Sequence, residues 1–265
     1  MATTPPARVR REPPPFRKLT VRRAERLSPR LMRVTLGGAA LEGLVIGQPA
    51  ASVRLLLPSP GSGELVMPRW RGNDYRLPDA RRATIRTFTP RRFDPHGLEL
   101  DLDIVLHGDG VAPAWAEAVE PGDPGAISGP ARGYAVDAEA SEFVLAGDET
   151  AIPAISQLLE QLPADAPVRA FIEVSSSDAQ IVLPSHAQAT VEWLEPSADG
   201  VPGDGLVAAI RSIALAPGTR TWAAGEAAAM QRLRRHLFED RGLSRTAAFV
   251  RGYWKHGRAG DADDG

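Results

Sequence analysis

Phe143-Val144-Leu145-Ala146, followed by Gly147-Asp148-Glu149-Thr150-Ala151-Ile152-Pro153-Ala154-Ile155, is the stretch that decides the fold. Four apolar residues in a row read as a buried strand, and a helical pattern opens at Ile152. A glycine turn between such a strand and a helix aims backbone N–H groups at the helix N-terminus, where phosphates and other anions bind well. Yet the turn lacks the glycine fingerprint of a dinucleotide site, and two acids stand where a phosphate would approach. The segment reads as a nucleotide-domain turn with unusual chemistry.

Downstream, the helix is expected over 152–162. Strands follow at 168–174 and 190–194, a helix at 206–215, a strand at 221–224, a helix at 226–240 and a strand at 246–250. Strands alternating with helices predict an α/β domain with a parallel sheet. Ligands of such sheets bind beyond the carboxyl ends of the strands, where Asp148, Glu149, Ser175, Gly225 and Glu226 fall.

Upstream, the texture differs. Strands are expected at 31–36, 53–57, 83–89, 98–106 and 123–128, separated by Gly and Pro turns, with a short helix at 113–119. Leu98, Leu100, Leu102, Ile104 and Leu106 share one face of the clearest strand. Many short strands predict an antiparallel β-barrel. The texture changes at 137–141, so the division is a tail over 1–16, a barrel domain over 17–138, an α/β domain with a basic C-terminal segment over 139–258, and an acidic tail over 259–265.

Composition narrows the chemistry. The 265 residues are 43% apolar, enough for a real core, and the net charge of −2 points to no nucleic-acid partner. Ten Arg or Lys against two Glu in residues 1–35 read as a solvated basic start rather than a nucleic-acid arm. Without cysteine there is no disulfide, thiolate metal site or cysteine nucleophile. No stretch is long and apolar enough to span a bilayer and no secretory leader is expected, which points to the cytoplasm. Phosphate-loop and nucleophile-elbow motifs are missing, and the five histidines have no metal-ligand spacing.

Three further segments could carry chemistry. Arg86-Thr87-Phe88-Thr89 puts a guanidinium and a ring on one face of a strand, fit to grip a phosphate and pack on a flat cofactor. The same spacing describes a surface charge beside a core ring. His107-Gly108-Asp109-Gly110-Val111-Ala112-Pro113-Ala114-Trp115 runs from strand to glycine-rich turn to helix, and could cradle a pyrophosphate or be an ordinary connection. Gly252-Tyr253-Trp254-Lys255-His256-Gly257-Arg258 combines adjacent aromatics with three basic groups, which also suits an edge strand with solvated cations.

Together with Pro90-Arg91-Arg92-Phe93-Asp94, Asp103-Ile104-Val105-Leu106-His107-Gly108 and Gly225-Glu226, these segments resemble the siderophore-interacting protein family, FAD-dependent ferric-siderophore reductases. The resemblance runs from about Lys18 to Arg258. It implies an antiparallel FAD-binding β-barrel followed by a NAD(P)-binding parallel α/β domain. It also implies electrons passing from NADH, NADPH or a ferredoxin through FAD to Fe(III) of a ferric siderophore, releasing Fe(II). The cofactor carries the hard chemistry, which accounts for the absence of acid/base and nucleophile motifs.

By the same resemblance, Arg86 with Thr87 holds an FAD phosphate, Phe88 packs on the flavin and Thr89 contacts its ring. Asp103, Val105, His107, Gly108, Ala112, Ala114 and Trp115 surround the cofactor. Asp148, Glu149, Thr150, Gly225 and Glu226 line the nicotinamide side. Arg54, Trp254, Lys255, His256 and Arg258 form a basic pocket for the anionic ferric siderophore. Two departures stand out. Phe88 replaces the family's usual Tyr and loses a hydroxyl, and Pro113 replaces a Ser and offers neither hydroxyl nor N–H. The second leaves two alternatives open, a flavin reductase with another acceptor and a siderophore-binding protein with weakened FAD binding. The loop Ser175-Ser176-Ser177-Asp178 has no Arg or Lys to pair a 2′-phosphate, which favours NADH.

Overall fold

The computed structural model of the chain describes residues 12–58, 63–72, 74–107, 110–196 and 200–257. Its first half contains β1 (Arg17–Ser28), β2 (Leu31–Gly37), β3 (Ser52–Leu56), β4 (Arg69–Trp70), β5 (Tyr75–Arg76), β6 (Ile85–Phe88), β7 (Pro90–Asp94), β8 (Glu99–Val105), helix α1 (Val111–Ala118) and β9 (Pro124–Ala131). Seven strands make one antiparallel sheet in the order β6-β3-β9-β1-β2-β8-β7. The edge strands β6 and β7 are separated in the chain by Thr89 alone. The sheet must therefore curl until its edges meet at Thr89, and the result is a barrel.

Alternation fills that barrel. Leu100, Leu102 and Ile104 of β8 pack with Val34, Leu36, Val53, Leu55 and Ile127, each buried aliphatic contributing about 1.5–3 kcal/mol. The acids on the other face of β8 are buried too. Thr35 donates to Asp101 at 2.6 Å, and Arg33 grips Asp103 with two bonds of 2.7 and 2.8 Å. A buried carboxylate persists only with partners of this kind.

The second half contains β10 (Glu142–Asp148), α2 (Ile152–Gln161), β11 (Val168–Glu173), β12 (Ala189–Leu194), α3 (Asp204–Ser212), β13 (Thr219–Glu226), α4 (Ala227–Arg235) and β14 (Ala248–Trp254). The sheet is parallel, in the order β12-β11-β10-β13-β14. Phe143 and Leu145 of β10 meet Ile152, Ile155 and Leu158 of α2 on one face. Val144 and Ala146 meet Leu206, Ile210, Met230 and Leu233 of α3 and α4 on the other. Burial on both faces is why β10 reads as an unbroken apolar run.

Element boundaries shift from the sequence expectation; the helix expected over 226–240 is α4 over Ala227–Arg235, and the strand expected over 221–224 is β13 over Thr219–Glu226. Helix α1 begins at Val111 rather than 113, and α3 ends at Ser212 rather than 215. Strand β14 runs to Trp254 rather than stopping at 250, because its pairing with β13 continues through Gly225–Gly252. Residues 12–16 of the expected tail pack on the barrel, where Ser128 donates to the Pro14 carbonyl and Phe16 meets Tyr75 edge-on at 5.1 Å. Among the described residues no helix is long and apolar enough to cross a membrane.

The two sheets are tied together. Gln157 of α2 donates to the Pro90 carbonyl at 2.6 Å and accepts from the Ala50 amide at 2.8 Å. Arg91 pairs with Glu160 at 2.7 Å, and Arg30 with Glu149 at 3.0 Å. The chain leaves β10 toward β11 and β12, then returns to β13 on the other side of β10. The topological switch point, where α/β sheets bind ligands, thus lies at the ends of β10 and β13, against the barrel.

Candidate functional site

Two adjoining cavities occupy this junction. The larger in total open space, about 1150 Å³ counting the part open to solvent, lies between β6, β8 and α1 of the barrel and the end of β14. The smaller by the same measure, about 840 Å³, opens beyond the carboxyl ends of β10, β11 and β12. Val105, His107, Thr150 and Trp254 line both and form the partition.

The larger cavity brings together Arg86, Thr87, Phe88, Thr89, Asp103, Val105, His107 and Ala112, and Thr150 of the expected nicotinamide side joins them. Arg86 Nη1 donates to the Ile85 carbonyl at 2.8 Å, and no carboxylate pairs with it among the described residues. Asp103 contributes no free charge, since Arg33 occupies it. Phe88, Ile104, Val111, Pro113, Tyr253 and Trp254 supply apolar wall. At the N-terminus of α1 no described side chain caps the helix, so the first-turn amides of Val111 and Ala112, both lining the cavity, are available. Pro113 removes one donor and leaves these two. Flat aromatic surface, a guanidinium and open helix amides fit a planar cofactor carrying a pyrophosphate.

On the sheet side Asp148 is held by four bonds. Its Oδ1 accepts from the Thr150 amide at 2.9 Å and hydroxyl at 2.5 Å; its Oδ2 accepts from the Glu226 amide at 2.9 Å and the Trp254 indole at 2.7 Å. Desolvation outweighs these bonds and raises its pKa to about 6. Gly225 makes this possible: its φ is 156°, and a Cβ there would lie 2.6 Å from Asp148 Oδ2. Glu149 accepts from Arg30, from the Ser175 amide at 2.8 Å and from its hydroxyl at 2.7 Å. His107 tilts against Trp254 with centroids 5.9 Å apart, and burial together with the Arg30 charge lowers its pKa, leaving it neutral at pH 7.

Several expected positions sit elsewhere. Ala114 and Trp115 do not line either cavity; Ala114 is exposed on the outer face of α1, and Trp115 packs against the barrel core. Gly225 and Glu226 lie behind the wall, where Glu226 caps α4 through the Ala229 amide at 2.9 Å. Arg54 and the exposed Lys255 line neither cavity, whereas His256 borders the smaller one. Gly108 and Arg258 lie outside the described residues. The sequence reading missed Arg30 and Arg251, which line the cavities, and gave Tyr253 of the flagged C-terminal segment no role of its own. Tyr253 hydrogen-bonds Thr89 across the domain junction. For Arg30 no local signal exists, because its partner is 119 residues away.

An antiparallel barrel joined to a parallel α/β sheet, with an aromatic and basic cleft at the switch point, defines a two-domain flavoprotein. Comparison with known proteins specifies which. Residues 20–134 match the siderophore-interacting FAD-binding domain, and residues 140–257 match the siderophore-interacting protein domain. The chain belongs to the siderophore-interacting protein family. A siderophore utilization protein from T. fusca is 36% identical, with a TM-score of 0.82 over 94% of this chain and 95% of that one. Ferric vibriobactin reductase ViuB of Vibrio cholerae is 28% identical over 91% of this chain and 89% of its own. The NADPH-dependent ferric-chelate reductase of Escherichia coli is 31% identical over 68% of this chain and 71% of its own.

Proposed function

We propose that this protein is a flavin-dependent ferric-siderophore reductase that uses NADH or NADPH. The observation that carries the reading is the larger cavity. Among the described residues it pairs a guanidinium that has no carboxylate partner and a helix N-terminus that no side chain caps with aromatic wall, inside a matched FAD-binding domain. FAD bound there would accept two electrons as hydride and release them singly to Fe(III), whose reduced form hard oxygen ligands hold far less tightly.

The chain's own residues bind and orient. Arg86 and the Val111 and Ala112 amides meet the cofactor phosphates, while Phe88 and Thr89 meet its ring system. Asp148 fixes Trp254, and the donor's nicotinamide would enter from the smaller cavity and reach the cofactor past Trp254 and His107, which border both cavities. Lys255 and His256, exposed beside Trp254, draw an anionic ferric chelate toward the junction. The names of the vibriobactin and ferric-chelate reductases support the same reaction in this chain.

A panel of acceptors tests this. FAD-loaded protein should bleach anaerobically with NADH or NADPH and recover its colour on mixing with a ferric siderophore. Fast recovery with quinones or dyes but none with iron chelates would assign it to another acceptor. A protein that takes up no FAD would overturn the reading entirely.

A further inference from the structure

Three helices begin at the ligand-binding end of the parallel sheet, and a carboxylate of this chain accepts an amide at the start of α3 and α4 and in the turn just ahead of α2. Ahead of α2, Asp148 takes the Thr150 amide, and Pro153 has no N–H to offer. Ahead of α3, Glu173 takes the Gly203 amide at 2.6 Å and the Leu206 amide at 3.4 Å; a Cβ on Gly205 would lie 2.9 Å from Glu173 Oε2. At α4, Glu226 takes the Ala229 amide. These first-turn donors are the groups that hold a dinucleotide's pyrophosphate in an α/β sheet.

The crevice between β10 and β13 is closed in the same way. Asp148 Oδ2 fills it, bonded to the Glu226 amide and the Trp254 indole. The smaller cavity presents Asp148, Glu149 and Glu173 against one described guanidinium, Arg30, which Glu149 already holds. A doubly charged pyrophosphate meets repulsion from these carboxylates, and the guanidinium described there is already taken. Helix α1 in the barrel is the opposite case, with no described side-chain cap and its first-turn residues Val111 and Ala112 lining the larger cavity.

We infer that the described residues of the α/β domain offer no site for a dinucleotide pyrophosphate: the electron donor is held by its nicotinamide end, and its adenosine half adds little. This inference rests on the proposed reductase function for its kinetic consequence, but not for its binding consequence. The specificity follows directly. NADH, NADPH and reduced nicotinamide mononucleotide, which lacks the adenosine half, become nearly equivalent donors, because a group that makes no contact in either state changes no rate.

The test uses the full chain saturated with FAD, so that the barrel site is filled. ADP-ribose, carrying the pyrophosphate and adenosine without nicotinamide, is titrated by isothermal calorimetry, and the three donors are compared by anaerobic stopped-flow bleaching. The expected results are no saturation by ADP-ribose up to about 1 mM and bimolecular rate constants within about threefold of one another. Saturation by ADP-ribose at roughly 20 μM would overturn the inference, as would NADH or NADPH outpacing the mononucleotide by more than about thirtyfold. If no donor bleaches the flavin while ADP-ribose still fails to bind, the nicotinamide donor of the proposed function falls and the missing pyrophosphate site stands.

Discussion

The barrel and the sheet meet at one junction but treat polar groups in opposite ways. On the barrel side, Arg86 has no carboxylate partner among the described residues, and α1 has no described side-chain cap. On the sheet side, Asp148, Glu149, Glu173 and Glu226 all accept hydrogen bonds from the chain itself. Open donors cost stability unless a ligand or water satisfies them, whereas satisfied acids build a fixed wall. Under the proposed function the barrel is therefore the gripping half, and the sheet the supporting half.

Breaking the wall should have the largest effect. Gly225→Ala places a methyl group 2.6 Å from Asp148 Oδ2 at a backbone angle that favours glycine. The expected cost is about 3 kcal/mol or more, read as a fall in melting temperature of roughly 10 °C. An unchanged melting temperature would show that the Asp148 network is slack.

Arg86→Ala should leave the melting temperature of the apoprotein alone and weaken FAD binding about 30-fold, the value of one charge-assisted bond of about 2 kcal/mol. Flavin fluorescence titration reads this directly. Glu149→Gln should do the reverse: the Arg30 tie weakens by about 1–2 kcal/mol, with melting roughly 3–6 °C lower and FAD affinity unchanged. If Glu149→Gln instead abolished FAD binding, the gripping and supporting halves would not be separable.

The raised pKa of Asp148 has a definite sign. Its folded value of about 6 lies above the ordinary 3.8, so the folded state holds the proton longer than the unfolded one. Its contribution to stability is complete below about pH 4 and declines as pH rises to about 6. Relative to Asp148→Asn, wild-type stability measured by urea unfolding should fall across that window and level off above it. The smallest effect is expected from Phe88→Tyr, whose added hydroxyl should tighten FAD binding by no more than about fivefold.

Much of this arrangement was legible in the sequence. The apolar run before Gly147 and the strand–helix alternation after it gave the parallel sheet, and the alternation through Leu100, Leu102 and Ile104 gave the barrel. Strand β1 was less visible because Arg22, Arg23, Glu25 and Arg26 face solvent and hide its period. Arg86, Phe88 and Thr89 were readable as one cluster because they lie within four residues at the end of β6. What escaped was pairing at long range. Nothing near Arg30 or Arg33 marks them as partners of Glu149 and Asp103, and nothing near Glu173 marks it as the cap of α3. Sequence spacing placed the acids correctly at strand ends but could not reveal that the chain had already used them.

The central claim is that flavin held in the barrel cleft passes electrons from a nicotinamide to siderophore-bound iron. The most direct measurement is anaerobic turnover of FAD-loaded protein with a limiting amount of NADH, an excess of ferric siderophore and a chromogenic Fe(II) trap. The account predicts about two Fe(II) trapped per nicotinamide oxidised, with none when FAD is left out. Nicotinamide oxidised without Fe(II) appearing, or Fe(II) appearing equally fast without FAD, would contradict it.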